Sequence, residues 1–351
     1  MADFIRRHQA ELEGFARVSR ALGARADYTQ GGGGNTSVKL AGGLMAIKAS
    51  GFRLTDVAPD AAYAVLDGAA LREFYNESDP ASFKDVEAAG SERARALTQA
   101  VEGMAPLRPS VEAGFHSLLP RYVGHTHSVY ANMAACAEGA RELAARALEG
   151  APYAWAFVPY VNPGAQLTFT MRDILREVAA REGREASVVV MQNHGLIAAA
   201  DTADECLFLH EDANTRFRKL FGVDPADYPL PRVRAEGDGF VSDTPWLVSR
   251  LKGGAYTAEA LTQAPLFPDQ MVYFRGTLGE SAIIDPETGV TRYQGPQASA
   301  QTLEETLCAV VFIHETLKKK GLRAVPMGEA AQGFIQGWES EKYRKQLSEG
   351  K

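Results

Sequence analysis

Two histidines stand one residue apart in the segment PRYVGHTHSVYAN, which covers residues 120–132. If this segment is an extended strand, His125 and His127 project from the same face, because side chains two positions apart point the same way. Imidazole is the commonest metal ligand in proteins. An H-x-H pair also arises by chance, so the pair alone indicates a metal site only weakly.

A third histidine strengthens the prediction of a metal site. His194 lies in VVVMQNHGLI, immediately after an apolar run that predicts a buried strand. Ligands and catalytic groups cluster where the strands of α/β sheets end and loops open into a crevice. Three imidazoles from two strands match the three-ligand pattern of a catalytic zinc ion, which keeps one coordination position open.

A carboxylate is also needed, either to complete the metal's ligands or to move protons, and Glu112 is the candidate. It lies in LRPSVEAGFHSLL, on a predicted helix over residues 111–119 before the H-x-H strand. His116 is four residues further on and shares a face of that helix with Glu112. We interpret His116 as a packing residue or as a support for a metal ligand. Ser110 stands at the predicted helix start, where free backbone N–H groups and the helix dipole favour an anion.

The glycine run in TQGGGGNTSVK predicts an anion site of another kind. Its spacing matches neither the dinucleotide fingerprint nor the Walker loop. Glycines followed by asparagine bring backbone N–H groups close to a ligand, which makes Gly34 and Asn35 candidates. Ser50 and Gly51 in IKASGF form a similar pair of small residues. A plain flexible loop is the alternative, and the anion site requires a fold that brings these residues to Ser110.

The elements that must position these residues are mixed helices and strands. NTSVKL and LMAIKAS, separated by AGG, predict a hairpin, and YVGHTHS, SVVVMQ and LIAAA predict further strands. Residues 223–270 are rich in Pro, Gly and Asp, so we expect a seam between residues 1–222 and a tail at 223–351 that carries the strands MVYF and SAIID. Apolar periodicity predicts helices over residues 4–22, 85–102, 111–119, 128–148, 202–222, 299–320 and 328–345.

Charge and cysteine usage narrow the class of protein. The chain has 37 basic and 44 acidic residues, a formal net charge of −7, which predicts no nucleic-acid or anionic-membrane partner. Its three cysteines are far apart and lack C-x-x-C spacing, so neither a disulfide framework nor a thiolate metal site is expected. The amino terminus has no apolar signal region, and no apolar run is long enough to span a membrane. We expect a cytoplasmic protein.

Five motifs, in order, resemble the class II aldolase/adducin family: GGGGNTSVK, KASG, RPSVE…H, HTHS and NHGLIAAADTADE. The resemblance covers residues 5–222. The glycine run and the tail segments LFPDQMVYF and GWESEKYRKQL are most similar to the aldolase portion of bifunctional rhamnulose-phosphate aldolase/alcohol dehydrogenase proteins. The resemblance implies an α/β class: a three-layer α/β/α class II aldolase-like fold with a mainly antiparallel central sheet. The tail would be an α+β extension that packs on the core or at a subunit interface.

The resemblance also implies roles for individual residues. Glu112 would ligate the resting metal and serve as acid/base. Val111 stands where the family often has a second serine, and the tyrosine that fuculose-phosphate aldolases supply from a neighbouring subunit is replaced by alanine. The matched metal ligands are His125, His127, His194 and Glu112, and the matched phosphate-binding residues are Gly34, Asn35, Ser50, Gly51 and Ser110.

By this resemblance we expect a zinc-dependent lyase that cleaves a ketose phosphate or related sugar to dihydroxyacetone phosphate and an aldehyde. The expected partners are a small sugar phosphate and further copies of the chain in a homotetramer. A pentulose-phosphate 4-epimerase shares the metal and the bond-breaking step and stays open as an alternative. A non-catalytic adducin-like binding module is the other alternative, and it predicts loss of the metal ligands.

Overall fold

The computed structural model of the protein describes residues 3–104 and 106–337. No helix in these ranges is long and apolar enough to cross a lipid bilayer. The helices are α1 (Asp3–Arg7), α2 (Gln9–Gly23), α3 (Gly68–Glu77), α4 (Val86–Ala96), α5 (Ala113–Leu118), α6 (Val129–Ala135), α7 (Ala140–Ala147), α8 (Ala165–Glu182), α9 (Ala203–Phe221), α10 (Pro245–Leu251), α11 (Ala258–Gln263), α12 (Pro268–Phe274), α13 (Gln297–Lys319) and α14 (Glu329–Gly337). The strands are β1 (Asn35–Lys39), β2 (Leu44–Lys48), β3 (Tyr63–Asp67), β4 (Thr98–Gln99), β5 (Tyr122–Thr126), β6 (Ala154–Val158), β7 (Ala186–Met191), β8 (Gly195–Ala200), β9 (Val233–Glu236), β10 (Gly239–Ser242), β11 (Ala282–Ile284) and β12 (Thr291–Tyr293).

The larger sheet has the strand order β4-β3-β2-β1-β5-β8-β7-β6. Its neighbouring strands are antiparallel, except for the parallel pair β6 and β7. Helices α2, α6 and α9 pack on one face through one hydrophobic cluster, and α3, α5 and α8 cover the other face. This arrangement confirms the predicted three-layer α/β/α fold with a mainly antiparallel central sheet.

Strand β5, which carries the H-x-H pair, lies in the middle of this sheet between β1 and β8. Asn35 of β1 is opposite His125, and His125 is opposite Ile197 of β8. The predicted hairpin of β1 and β2 is present, with Val38 opposite Ala46. The register therefore brings the start of β1 and the start of β8 to the end of β5, where the candidate ligands lie.

Three predicted helices end earlier or are divided. The helix expected over residues 128–148 is two helices, α6 and α7, because Gly139 adopts a left-handed conformation with φ 72° between them. The helix expected over residues 4–22 is divided at His8 into α1 and α2. The helix expected over residues 85–102 ends at Ala96, because the residues that follow form the edge strand β4, which pairs with β3. The periodicity of the local sequence could not predict the pairing of β4 with β3, which are about 30 residues apart in the chain.

The described residues after 223 form an α+β extension, as expected. Helix α13 matches the prediction for residues 299–320, and SAIID contains strand β11. The prediction of a strand at MVYF is wrong, since these residues end helix α12. Pro268 occupies the first turn of α12, where its fixed φ suits a helix and its missing N–H costs nothing. Of the helix predicted over residues 328–345, Glu329–Gly337 is helical as α14, and the remainder lies outside the described residues.

The extension packs directly on the aldolase-like core. Helix α13 contacts α6, and their buried side chains belong to the same hydrophobic cluster. Leu307, Val310 and Val311 of α13 have no exposed surface. One continuous apolar core contains residues from both sides of the boundary between residues 222 and 223. The division of the chain into two domains at this point therefore stays a prediction.

Candidate metal centre

The three histidines predicted as ligands lie together. One ring nitrogen of each of His125, His127 and His194 lies within 4.8 Å of those of the other two, and all three side chains are buried. His194 is in the turn between β7 and β8, where Asn193 adopts the left-handed conformation with φ 50° that asparagine tolerates. Gly195 then allows β8 to approach β5 closely, because a Cβ at this position would overlap the backbone oxygen of Thr126.

Hydrogen bonds to Nδ1 set the direction of two of these rings. The Nδ1–H of His125 donates to the backbone oxygen of Leu196 at 3.1 Å, and the Nδ1–H of His127 donates to the carboxylate of Asp269. The Nε2 of His125 is buried and has no hydrogen-bond partner within the described parts of the chain. A buried nitrogen lone pair without a partner is costly, and a metal ion would satisfy it.

The electrostatics suit metal ligation. Burial lowers the pKa of His125 well below its ordinary value, and burial likewise lowers the pKa of His194. Both imidazoles are therefore neutral at physiological pH. The neutral form has the lone pair that a metal ion requires.

Glu112 lies next to two of the histidines, His125 and His194. The sequence placed it within a helix, whereas in the structure it is the residue that flanks the N-terminus of α5. One of its carboxylate oxygens, Oε1, is 3.3 Å from His194 Nε2 and 3.6 Å from His125 Nε2. The carboxylate thus completes a cluster of three nitrogens and one oxygen donor.

All the predicted site residues except His125 line one cavity beside this cluster. Lys48, which the sequence analysis did not single out, also lines it. The lining residues are Gly32, Gly34, Asn35, Lys48, Ser50, Gly51, Ser110, Val111, Glu112, His127, Pro163, His194 and Pro268. The fold therefore brings the candidate ligands and the candidate anion-binding residues to one space.

The serine residues meet through backbone pairing between two distant segments. Ala49 pairs with Pro109 in an isolated bridge, and the N–H of Ser50 donates to the backbone oxygen of Arg108 at 3.2 Å. The hydroxyl of Ser110 accepts a hydrogen bond from the N–H of Glu112 at 3.2 Å. Ser50 and Ser110 therefore lie on one wall of the cavity.

The glycine run has a different role from the one its composition suggested. The N–H of Gly31 donates to Glu305 Oε2 at 2.8 Å, and that of Gly32 donates to the Tyr273 hydroxyl at 2.9 Å. The N–H of Gly33 donates to the backbone oxygen of Gln30. These three amides thus bind other parts of the protein, two of them the extension, and the run does not act as a whole as an anion cradle.

Two polar residues of the site, Lys48 and Asp269, were not predicted from the sequence. Lys48 is 3% exposed and donates from Nζ to the backbone oxygen of Phe52 at 2.8 Å. Its position two residues before Ser50 on an alternating strand was a usable signal. Asp269 is 142 residues from His127 in the sequence, and no local pattern indicated their contact.

His116 and two tyrosines that follow the histidine pair in the sequence, Tyr153 and Tyr160, do not line the cavity. His116 is buried, its Nδ1 is 2.8 Å from the Ser37 hydroxyl, and burial lowers its pKa to about 3. It is therefore a neutral packing residue that does not line the cavity. The hydroxyl of Tyr153 donates to Asp212, and that of Tyr160 donates to Asn162, so neither tyrosine points its hydroxyl at the histidine cluster.

The family model described as Class II Aldolase and Adducin N-terminal domain matches residues 13–219. The chain belongs to the class II aldolase and adducin family. The family match runs from α2 to α9 and contains every predicted site residue, which confirms the resemblance seen in the motifs. The extension that carries Asp269, Tyr273 and Glu305 lies beyond it. No protein of curated function matches this member of the family.

Several solved structures are similar to this class II aldolase family member. The class II aldolase domain of a conserved protein from Thermoplasma acidophilum is 21% identical, with 60% of this chain and 92% of that chain covered and a TM-score of 0.49. The L-fuculose-1-phosphate aldolase from Thermus thermophilus is 18% identical, with 61% and 94% covered and a TM-score of 0.37. A sugar-phosphate aldolase from Thermotoga maritima is 16% identical, with 62% and 98% covered and a TM-score of 0.40.

Proposed function

We propose that this protein is a zinc-dependent lyase that cleaves a ketose phosphate, or a related sugar, to dihydroxyacetone phosphate and an aldehyde. The observation that carries the proposal is the cluster of three buried histidines and Glu112 beside a cavity lined by Lys48, Ser50 and Ser110. Membership of the class II aldolase and adducin family supports it.

The donor set fits a divalent cation. His125, His127 and His194 would each offer a nitrogen and Glu112 an oxygen, and the partnerless Nε2 of His125 supports this assignment. Three nitrogen donors with one exchangeable oxygen position are typical of catalytic zinc. When bound, the cation would act as a Lewis acid that stabilises negative charge on the carbonyl oxygen of the substrate.

Other residues that line the cavity would hold the phosphate. Lys48 would supply a positive charge, the hydroxyls of Ser50 and Ser110 would donate hydrogen bonds, and Asn35 with the backbone of Gly34 and Gly51 would complete the contacts. Binding at this remote end would orient the reacting end of the sugar towards Glu112.

Glu112 would move the proton that the reaction requires. In cleavage, the bond between the α and β carbons of the ketose would break, and its electron pair would delocalise onto the carbonyl group. The hydroxyl on the departing β carbon would pass its proton to Glu112, and that carbon would become the aldehyde. Glu112 would then deliver a proton to the carbon that retained the electron pair, which gives dihydroxyacetone phosphate. Its carboxylate lies beside the histidine cluster and lines the cavity, as this role requires.

The test is a retro-aldol assay on ketose phosphates and the matching unphosphorylated ketoses. The protein would be assayed as purified, after complete removal of metal by a chelator, and after zinc is restored. We expect dihydroxyacetone phosphate to form only with metal present. Activity that survives complete metal removal would contradict the mechanism.

The same preparation separates the alternatives. Interconversion of pentulose-phosphate 4-epimers without net release of an aldehyde would indicate an epimerase. A protein that binds no divalent ion, and takes up none when it is added, would indicate a non-catalytic binding module of the adducin kind.

We also propose a cytoplasmic homotetramer in which residues 1–222 form the catalytic domain and residues 223–351 the extension. The three cysteines are free and buried, as suits a reducing compartment. Light scattering coupled to size-exclusion chromatography measures the assembly directly, and a monomer mass would contradict the tetramer.

A further inference from the structure

Helix α12 of the extension contributes a buried carboxylate to the metal centre. Asp269, in the first turn of α12, has no exposed surface, and its Oδ2 accepts the hydrogen bond from His127 Nδ1–H. This residue lies outside the part of the chain that the family model covers. The Nε2 of His127 is then the ring nitrogen left for a metal ion.

The glycine run leaves room for this contact. A Cβ on Gly33 would overlap Asp269 Oδ2 and would lie 2.9 Å from His127 Nδ1. Any larger residue at position 33 would therefore push the carboxylate and the imidazole apart. The contact between Asp269 and His127 therefore depends on the absence of a side chain at position 33.

The segment that carries Asp269 is fixed at both ends. The Tyr273 hydroxyl, one turn further along α12, accepts the N–H of Gly32 at 2.9 Å. The side-chain amide of Asn193 donates to the backbone oxygens of Leu266 at 2.9 Å and Val325 at 2.8 Å. The extension is thus tied to the glycine run and to the turn that holds His194.

We propose that Asp269 is a positioning residue for the metal centre, which makes the extension part of that centre. This inference rests on the proposed function, because it requires His127 to bind a metal ion. The carboxylate holds the imidazole with its proton on Nδ1 and its lone pair on Nε2, and its negative charge makes Nε2 a stronger donor. Partners of this kind typically contribute about 10- to 100-fold in metal affinity.

The experiment measures metal affinity of the full-length protein by competition with a chelator, together with the visible spectrum of the Co²⁺ form. Asp269→Ala removes the acceptor, and we expect a loss of affinity of about 10- to 100-fold with an altered spectrum. Asp269→Asn keeps an acceptor oxygen for Nδ1–H but not the charge, so its loss should be smaller. Gly33→Ala should reproduce the weakening with Asp269 still in place.

Glu304→Gln is the matched control. Glu304 is a fully buried carboxylate of the same extension, and it accepts hydrogen bonds from Ser242 and Tyr293. Its replacement should leave metal affinity and the Co²⁺ spectrum unchanged.

The outcomes separate this inference from the proposed function. Asp269→Asn and Asp269→Ala proteins with wild-type affinity and spectrum would overturn the role of Asp269 while the metal centre stands. A wild-type protein that binds metal through the histidines but cleaves no sugar would overturn the proposed reaction, and the affinity series would still decide the role of Asp269. A wild-type protein that takes up no ion would overturn both.

Discussion

At the residue scale, the imidazoles of the candidate centre are fixed by what their Nδ1 atoms contact. His125 is held by a backbone oxygen of the neighbouring strand, and His127 by a carboxylate from the extension. These contacts leave the Nε2 atoms of the two rings for a metal ion, as is usual in protein metal sites.

We predict that His194→Ala loses bound metal and retro-aldol activity while the protein stays folded. His194 supplies one nitrogen of the cluster, and a site that loses one of its three histidine ligands holds zinc poorly. Metal analysis of the dialysed protein and the activity assay measure the effect, with circular dichroism as the check on folding. His314→Ala is the control, because His314 lies in α13 and packs on Tyr256. A fully metallated His194→Ala protein would remove His194 from the ligands.

A second residue-scale prediction concerns the phosphate. Lys48→Met keeps the length of the side chain but removes its charge, and charge-assisted hydrogen bonds contribute about 1.5–3 kcal/mol. We therefore expect KM for a ketose phosphate to rise about 10- to 100-fold, with little change for the matching unphosphorylated ketose. Steady-state kinetics on the two substrates make the comparison within one variant. An equal rise for both substrates would show that Lys48 does not bind the phosphate.

At the element scale, the site depends on how closely β8 approaches β5. The sequence indicated both strands, but their antiparallel register decides that His194 arrives beside His127. Gly195 allows this approach, since any side chain there would meet the backbone of Thr126. The close contact of the two strand ends is thus a condition of the metal centre.

We predict that Gly195→Ala destabilises the protein. Forcing a methyl group against a fixed backbone oxygen costs about 1–3 kcal/mol, and the strand ends would have to separate. Urea unfolding measures the change in the free energy of unfolding. Gly328→Ala is the control, because a Cβ at Gly328 meets no heavy atom within 4 Å in the described structure. Equal stability of both variants would contradict the close approach of the strands.

At the scale of the whole molecule, the extension and the aldolase-like core share one hydrophobic cluster. Leu307 and Val311 of α13 pack in the cluster that also contains Tyr130 and Met133 of α6. The extension also supplies Asp269 to the candidate centre. Core and extension are therefore expected to fold together, although the family match ends at residue 219.

We predict that a fragment of residues 1–222 is not stable by itself. Removal of α13 would expose the apolar face of α6. Removal of α12 would take away Asp269, the hydrogen-bond acceptor of His127. The fragment should aggregate or lack a cooperative thermal transition, and co-expression with residues 223–351 should restore a folded complex. A fragment that unfolds cooperatively and binds metal as the full chain does would show that the catalytic domain needs neither α12 nor α13 to fold.

The sequence by itself determined the family, the fold class and most of the candidate site. The H-x-H pair, His194, Glu112 and the small residues near Ser50 are local patterns, and the alternation of strands or the start of a helix makes each of them recognisable. Periodicity also predicted α9 and α13 nearly to their ends. Such features depend on neighbours within a few residues, so one sequence is enough to find them.

The tertiary structure alone decided which distant residues meet. Asp269 contacts His127, and the amides of Gly31 and Gly32 donate to Glu305 and Tyr273. None of these contacts leaves a local trace, because an acceptor or an apolar neighbour can come from any element that packs nearby. These contacts form only when the extension packs on the glycine run and on α6.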